Sequence, residues 1–431
     1  MARYTNMDIL KMVEEEDVEF IRLQFVDVFG MMKNLAVTSS QIEKILAGRC
    51  NFEGTELECI HRDVHREYFL KPILDTFEIF PWRPQQGKVA RLFCNVVDAE
   101  NRPVETDSRY VLQKVLSEIE KEGYTFHVGP ECEFFLFKTD EEGEPTTELS
   151  DQGECFDIGP VDTGENARRE MVMFMEDMHF EVDSSYHSNE AGQHEIDFKY
   201  DNAVNTADNI VTFKMLVRIV ARRHGYHATF MPKPDSHLAG SGMHLNLSLE
   251  KEGNNVFEDA KDENGISKEG YYFIAGILSH IEGMTLINNP LVNSYKRLGS
   301  GFRAPFSESW SAEKRDTLIR IATKGGNGAR LELRSPDGAM NPYLSIALIL
   351  AAGMDGIRKK KEIKETADGS KEKQLPRTLE EAIESFRKDD FIKGVLGEKI
   401  CEAYITEKTK EWNEYMMNVS EWELKKYLRK I

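Results

Sequence analysis

Absences do much of the narrowing in this 431-residue chain. No run of 18 apolar residues occurs, so no membrane-spanning helix is expected. The opening MARYTNMDILKMVEEED has no basic stretch followed by an apolar one, so no secretory leader is expected either. The six cysteines, at 50, 59, 94, 132, 155 and 401, include no C-x-x-C pair. Neither a zinc site nor a disulfide framework is indicated, and a reduced cytoplasm fits. Walker-A and GxGxxG motifs are missing, so any ATP site is of neither the P-loop nor the Rossmann kind. Cations are outnumbered, 55 Lys and Arg against 75 Asp and Glu, for a net charge of −20. The one dense basic run, Arg358–Lys361, is followed by Glu362 and Glu365 and reads as a solvated linker. Nucleic-acid and anionic-membrane partners are therefore excluded, and an anionic substrate would be held by local arginines and bound cations.

What remains is a folded chain, 40% apolar and 30% charged, too long for one compact core. The first hundred residues read as strand-rich. Val18–Phe25 alternates, and Thr76–Trp82 and Lys88–Val97 are further strand candidates. Ser108–Gly123 is then an amphipathic helix, which places a boundary near residue 105 and divides the chain into 1–105 and 106–431. Beyond it strands are expected at Thr125–Lys138, Gln193–Lys199, Ala228–Pro232, Gly242–Leu249, Leu318–Ile321 and Arg330–Arg334. Helices are expected at Gly164–Phe180, Thr206–His224, Glu269–Ile287 and Asn341–Lys361, then a loop over Lys361–Gln374 and helix from Leu379 onward.

The chemistry lies on the strands. In Gly129-Pro130-Glu131-Cys132-Glu133 the period of two projects Glu131 and Glu133 from one face, where they repel unless a cation lies between them. Gln193, Glu195 and Asp197 share a face, as do His244, Asn246 and Ser248, and Arg330, Glu332 and Arg334. Converging, these strands would offer a hard-cation site for Mg²⁺ or Mn²⁺, although a lone histidine such as His244 is more often structural than a ligand. The series Arg297, Arg303, Arg315, Arg320, Arg330 and Arg334 suits metal-assisted phosphoryl transfer.

The blocks FPWRPQQGKVARLFCNV, GPECEFFLF, FDIGPVDTGENARRE, AGQHEIDFKY, HATFMPKP, GSGMHLNLSL, VNSYKRL, LIRI and NPYLSIALILAAGMDGI resemble type I glutamine synthetases over nearly the whole chain. The likeness is to the shorter bacterial and archaeal branch, without the inserted segment and the adenylylated tyrosine loop. The resemblance implies an α+β architecture, a small N-terminal β-grasp domain followed by a large catalytic domain, and a cytoplasmic dodecamer of two hexamers with sites between subunits. It also implies a reaction: glutamate attacks ATP to give γ-glutamyl phosphate, and ammonia displaces the phosphate. Carried over, Glu131, His244 and Glu332 match the ligands of the metal on the ATP phosphates, and Glu133 and Glu195 two ligands of a second metal. Gly240, Arg297 and Arg334 match the glutamate pocket, and Ser248, Arg315, Arg320 and Arg330 the ATP contacts. Glu53 and Arg303, with Arg315, fall at catalytic positions.

The match departs in places. Ser188 stands where the family has a third carboxylate, with Glu190 as the nearest substitute, and Ala239 stands for an Asn of the glutamate pocket. Arg303 occupies the position of the flap's Glu, and Glu53 that of an Asp; in the rewritten segment Cys59–Glu67 only Arg62 and Glu67 match. The departures fall in the ammonium and glutamate half of the site. They leave open two alternatives to glutamine synthesis: ligation of another small amine to glutamate, or an impaired paralogue with a regulatory or assembly role.

Overall fold

The structure, a computed structural model, describes residues 3–54, 66–83, 86–299, 304–322, 328–363 and 373–431. The N-terminal sheet holds β1 (Val18–Val26), β2 (Met32–Thr38), β3 (Cys50–Glu53), β4 (Glu67–Pro72), β5 (Glu78–Ile79) and β6 (Lys88–Val97). Their order is β2-β1-β6-β4-β3, with β5 also on β6; β1 runs parallel to β6. The expected alternation holds where it matters: Ile21, Leu23 and Phe25 are buried against Leu70, Leu92 and Ile45.

The second sheet is larger. It contains β7 (Tyr124–Thr139), β8 (Pro145–Leu149), β9 (Val182–His187), β10 (Gln193–Phe198), β11 (Asp201–Asn202), β12 (Tyr226–Thr229), β13 (Met243–Lys251), β14 (Asn254–Asn255), β15 (Trp310–Ser311), β16 (Ile319–Ala322) and β17 (Arg330–Leu333). Its spine is β15-β16-β17-β13-β7-β10-β9. Helix Ala203–Arg223 lies against β7, tied by the Thr206 hydroxyl to the Val128 carbonyl (2.8 Å). The 16-residue β7 is apolar at Phe126, Val128, Cys132, Phe134 and Leu136, all at most 1% exposed, so that face seals the core while the other carries the glutamates.

Two expected strands are corrected. Thr76–Trp82 folds as a 3₁₀ turn, Leu74–Thr76, followed by the two-residue β5. The Thr76 hydroxyl donates to the Ile73 carbonyl and accepts from the Phe93 amide, taking over a ladder position, and Pro81 has no N–H to continue the pairing. Ala228–Pro232 is displaced to Tyr226–Thr229, where it pairs with β7 before Pro232 and Pro234 remove donors. The helix Asn6–Glu15 was not expected. Its signal was Thr5-Asn-Met-Asp8, a capping box in which Thr5 and Asp8 satisfy each other's backbone amides.

Helices Lys268–Asn288 and Pro342–Lys359 cross at glycines. A Cβ on Gly276 would lie 2.1 Å from the Ala352 carbonyl oxygen, and one on Gly356 2.0 Å from that of Tyr272. The two backbones are in van der Waals contact there, and neither can recede without opening the core. Gly276→Ala is expected to destabilise by about 1–3 kcal/mol through overpacking, read as a lower melting temperature; an unchanged melt would show slack between these helices.

Candidate active site

Register builds the site. His244 of β13 sits opposite Glu131 of β7, Glu195 of β10 opposite Glu133, Glu332 of β17 opposite Asn246, and Arg320 of β16 opposite Glu332. Five neighbouring strands thus turn their polar residues onto one face. Oxygens of Glu131 and Glu332 and a ring nitrogen of His244 lie within 4.8 Å of one another. His244 Nδ1 is 3.1 Å from Glu131 and 3.5 Å from Glu332, and Asn246 donates to the other Glu131 oxygen (2.9 Å). Glu332, fully buried, also takes hydrogen bonds from Arg320 and Arg334.

A cavity of about 220 Å³ opens over this face. It is lined by Glu131, Glu133, Glu195, His244, Ala239, Gly240, Arg297, Arg315, Arg320 and Arg334, with Asn189, Gln193 and Ala304. Most of the expected site residues therefore meet. The backbone amide of Gly242 donates to Glu133 (2.6 Å). Gly240 is obligatory: a Cβ there would be 2.3 Å from the Pro232 carbonyl oxygen and 2.7 Å from Arg297, and its own carbonyl accepts from Gln193 (3.1 Å). The Arg297 guanidinium donates to the carbonyls of Arg334, Ser335 and Pro336, so it shapes the wall as well as charging it.

Other expected residues lie elsewhere. Ser248 shares its strand face with His244 but is four residues further along β13 and outside the cavity lining. Arg330 donates to Asn246 (3.1 Å), one step behind Glu131. Glu53 belongs to β3 and accepts from the Arg66 amide. Glu190 is absent from the lining, and its charge acts on Lys233. Arg303, Cys59 and Arg62 lie outside the described residues. Asn246 and Gln193 were read on the faces of His244 and Glu195 but given no role, and Asn189 and Tyr186 were not singled out. The first two alternate with expected residues on the same strands and were readable, whereas Asn189 and Tyr186 carry no motif.

Charge defines what the face accepts. Burial opposes ionisation of Glu131, but hydrogen bonds from His244 and Asn246 hold it down to about 2. Burial, then the carboxylates of Glu133 and Asp197, pushes Glu195 up to about 9; burial likewise raises Asp197 to about 7 against the Ser184 hydrogen bond. Carboxylates that repel in this way could be relieved by a hard divalent cation, and the oxygen-and-imidazole chemistry of Glu131, His244 and Glu332 fits Mg²⁺ or Mn²⁺. Ser188, fully buried, donates to Glu195 (3.4 Å) where a further carboxylate would complete a second cation's shell.

Behind the sheet a buried network fixes Ser188 and Glu195. His187 Nε2 faces Asp151 and Nδ1 faces the Ser188 carbonyl, both at 3.0 Å. Both partners only accept, so the ring carries both protons and forms a buried ion pair; its titration lies above the ordinary value, although burial opposes this. Arg168 joins His194 (2.8 Å) to Asp162 (2.7 Å). The donation by Arg168 leaves the His194 proton on Nε2, so this cluster is built as a brace and not as a cation cage.

The chain thus has the fold and site of a metal-dependent, arginine-rich enzyme of phosphoryl chemistry. A family model described as glutamine synthetase, catalytic domain, matches residues 105–427, and one described as the glutamine synthetase β-grasp domain matches 17–99. The chain belongs to the glutamine synthetase family, whose members are ATP-dependent glutamate–ammonia ligases. It is 48% identical to a glutamine synthetase of Clostridium saccharobutylicum over 100% of both chains. It is 46% identical to one of Staphylococcus aureus over 99% of this chain and 98% of that one. The ADP complex of GmaS superposes with a TM-score of 0.89 at 31% identity, covering 98% of this chain and 99% of that one.

The His187–Asp151 pair predicts a pH-dependent contribution to stability. A raised histidine value means that the contribution is complete below about 6.5 and fades as pH rises through the folded-state value. Asp151→Asn leaves His187 buried without its counter-charge and is expected to cost about 3–5 kcal/mol at pH 6. Urea titration at pH 6 and pH 9 checks this: the deficit should shrink at the higher pH.

Proposed function

We propose that this protein makes glutamine by ATP-dependent ligation of ammonia to the γ-carboxylate of glutamate through γ-glutamyl phosphate. The observation that carries the reading is the convergence of Glu131 and His244, with Glu332 within ligand distance of both, and of Arg315, Arg320 and Arg334 on one cavity, in a chain 46–48% identical to glutamine synthetases over full length. Glu131, His244 and Glu332 would hold one Mg²⁺ or Mn²⁺, and Glu133 and Glu195 a second. Such ions neutralise phosphate charge and orient the γ-phosphoryl group.

The chain's own groups supply the rest. Arg315 and Arg320, at the cavity, and Arg330, beside Asn246, are assigned to the phosphates, with Ser248 further along β13 toward the nucleotide. Arg334 and Arg297 with Gly240 form the glutamate end, where a planar guanidinium meets a carboxylate in two parallel hydrogen bonds. Arg303 cannot accept a proton, so we assign it to closing the site by charge and give the proton-accepting role toward ammonium to Glu53. Glu53 stands in the N-terminal sheet, outside the cavity of its own chain. This supports a site completed by an adjoining subunit; we take the assembly to be a cytoplasmic dodecamer of two hexamers and the domain division to fall near residue 105.

The direct test is glutamine and phosphate formation with ATP, Mg²⁺, glutamate and ammonium, beside a panel of small amines. Turnover confined to an amine other than ammonia would overturn the assignment. Arg334→Ala is expected to lower kcat/KM by 10²-fold or more, the loss of a charged clamp on a desolvated substrate.

Ser188 makes a separate prediction. A hydroxyl is a weak donor for Mg²⁺ or Mn²⁺ beside a carboxylate, so Mn²⁺ should titrate one strong and one weak site. Ser188→Glu should strengthen the weak one by about tenfold or more. Two equally strong sites in the unaltered protein would show that Glu133 and Glu195 suffice.

A further inference from the structure

The acids of the cavity face end, in two successive rows, against a hydroxyl of the edge strand. Across β7, β10 and β9 the register lines up Glu133, Glu195 and Tyr186, and in the next row Glu131, Asp197 and Ser184. Ser184 donates to Asp197 at 2.7 Å. The Tyr186 hydroxyl donates to the Glu195 carboxylate. Ser188, two residues further along the chain, donates to it as well, at 3.4 Å. Period two therefore brings three hydroxyls, at 184, 186 and 188, to one side of β9 and its continuation, facing carboxylates and adding no charge of their own. Tyr186 is half-buried and outside the cavity lining, so it acts on the cavity only through Glu195. Its ring is braced in turn. The Phe156 ring lies 5.0 Å from it, tilted by 43°, and the Phe156 amide donates to the His187 carbonyl (3.0 Å). Phe156 keeps that place at φ 66° and 70% exposed, in a backbone region that few aromatic residues adopt.

Glu195 stands among like charges, Glu133 and Asp197, and a carboxylate so placed turns away from its neighbours unless something holds it. Outer hydrogen bonds fix the orientation of a ligating carboxylate, and losing one typically weakens metal binding about 10–100-fold. Ser188 offers such a bond only at full stretch, whereas Tyr186 carries its hydroxyl on a rigid ring held by Phe156. We propose that Tyr186 is a positioning residue for the second cation: its hydroxyl, with that of Ser188, fixes the Glu195 carboxylate where a third carboxylate would otherwise fix it by sharing the metal. This rests on the assignment of Glu133 and Glu195 to that cation. A hydroxyl orients without adding negative charge, so the site is kept in shape while its affinity falls below that of a three-carboxylate site.

Mn²⁺ alone is titrated into the full chain, without ATP or glutamate, and the free ion is counted by its electron paramagnetic resonance signal. Glu195→Gln identifies which of the two sites is the one built on Glu133 and Glu195. Tyr186→Phe keeps the ring and its contact with Phe156 and removes only the hydroxyl. It should weaken that site at least about tenfold and leave the site of Glu131, His244 and Glu332 unchanged. In the Ser188→Glu background, where a carboxylate would hold the ion directly, the same change should cost about twofold or less; a merely structural role would cost as much in either background. Phe156→Ala, at an exposed position, should weaken the site in the same direction and serves if Tyr186→Phe fails to fold. No weakening by Tyr186→Phe (or by Phe156→Ala in its stead), equal losses at both sites, or an equal loss in the Ser188→Glu background would overturn the proposal. A single Mn²⁺ site in the unaltered protein would sink the second-cation assignment itself, and the role of Tyr186 with it.

Discussion

The pairing of β7 with β13 on one side and β10 on the other is the constraint from which the site follows. Side chains alternate along a strand, so Glu131 and Glu133 reach the cavity only if Cys132 and Phe134 face the core. Both are fully buried. A slip of one residue would bury two carboxylates and expose the apolar face. The packing of helix Ala203–Arg223 and of Phe198, Phe213 and Phe230 on that face therefore sets the position of the carboxylates, although none of these residues touches the cavity. Hydrophobic burial fixes register, and register fixes the chemistry.

A second layer of constraint comes from behind β10. Strand backbones fix which residues face each other, but not how a loop such as Ser188–Gly192 approaches them. Here Asp151 does this: one of its oxygens accepts from His187 Nε2 and from the amides of Gly153 and Gly192. Arg168 braces His194, the residue before Glu195. The buried ions are matched in pairs, Arg168 with Asp162 and His187 with Asp151, which is how a low-dielectric interior tolerates them. The same pairing joins helices Ser108–Glu120, Ala203–Arg223 and Pro342–Lys359, where Arg109 meets Asp208 in a two-pronged ion pair and the Tyr343 hydroxyl donates to the same carboxylate.

Much of this was legible in the sequence, for a physical reason. Period-two alternation on GPECEFF, GQHEIDF and GMHLNLS assigns faces without knowledge of the partner strand, so Glu131, Glu133, Glu195 and His244 could be named as site residues. Long helices with apolar periodicity, such as Lys268–Asn288, were readable on the same principle. Several short strands were not. β3, β4, β8 and β9 are 4–6 residues long and partly exposed, and their pairing comes from tertiary partners and not from a local pattern. Thr76–Trp82 misled because a threonine side chain can imitate a ladder bond. Pairing across strands was also invisible: the neighbourhood of Tyr186 and Glu195, or of Asn246 and Glu332, exists only after the sheet forms.

The distribution of charge ties these observations together. An excess of twenty negative charges keeps the outer surface acidic, yet the cations that matter are drawn inward to two hollows. In the first they stand beside carboxylates: Arg320 and Arg334 share Glu332, so acids and bases offset one another, and a metal bound to a polyphosphate can exchange in without leaving a net charge stranded. In the second, where Arg22, Arg83, Lys214 and Arg218 meet between β1, β2 and helix Ala203–Arg223, no carboxylate lines the wall among the described residues. Arginine and lysine cannot shed their charge as cheaply as a buried carboxyl or imidazole can, and Lys214, pulled down to about 8 by burial, remains largely protonated at neutral pH. The two hollows therefore differ in kind. In the first, acids and arginines stand together around one wall, whereas in the second the cations stand beside stacked aromatic rings. Both bear on β7, the first on the face that carries its glutamates and the second through the helix packed behind it.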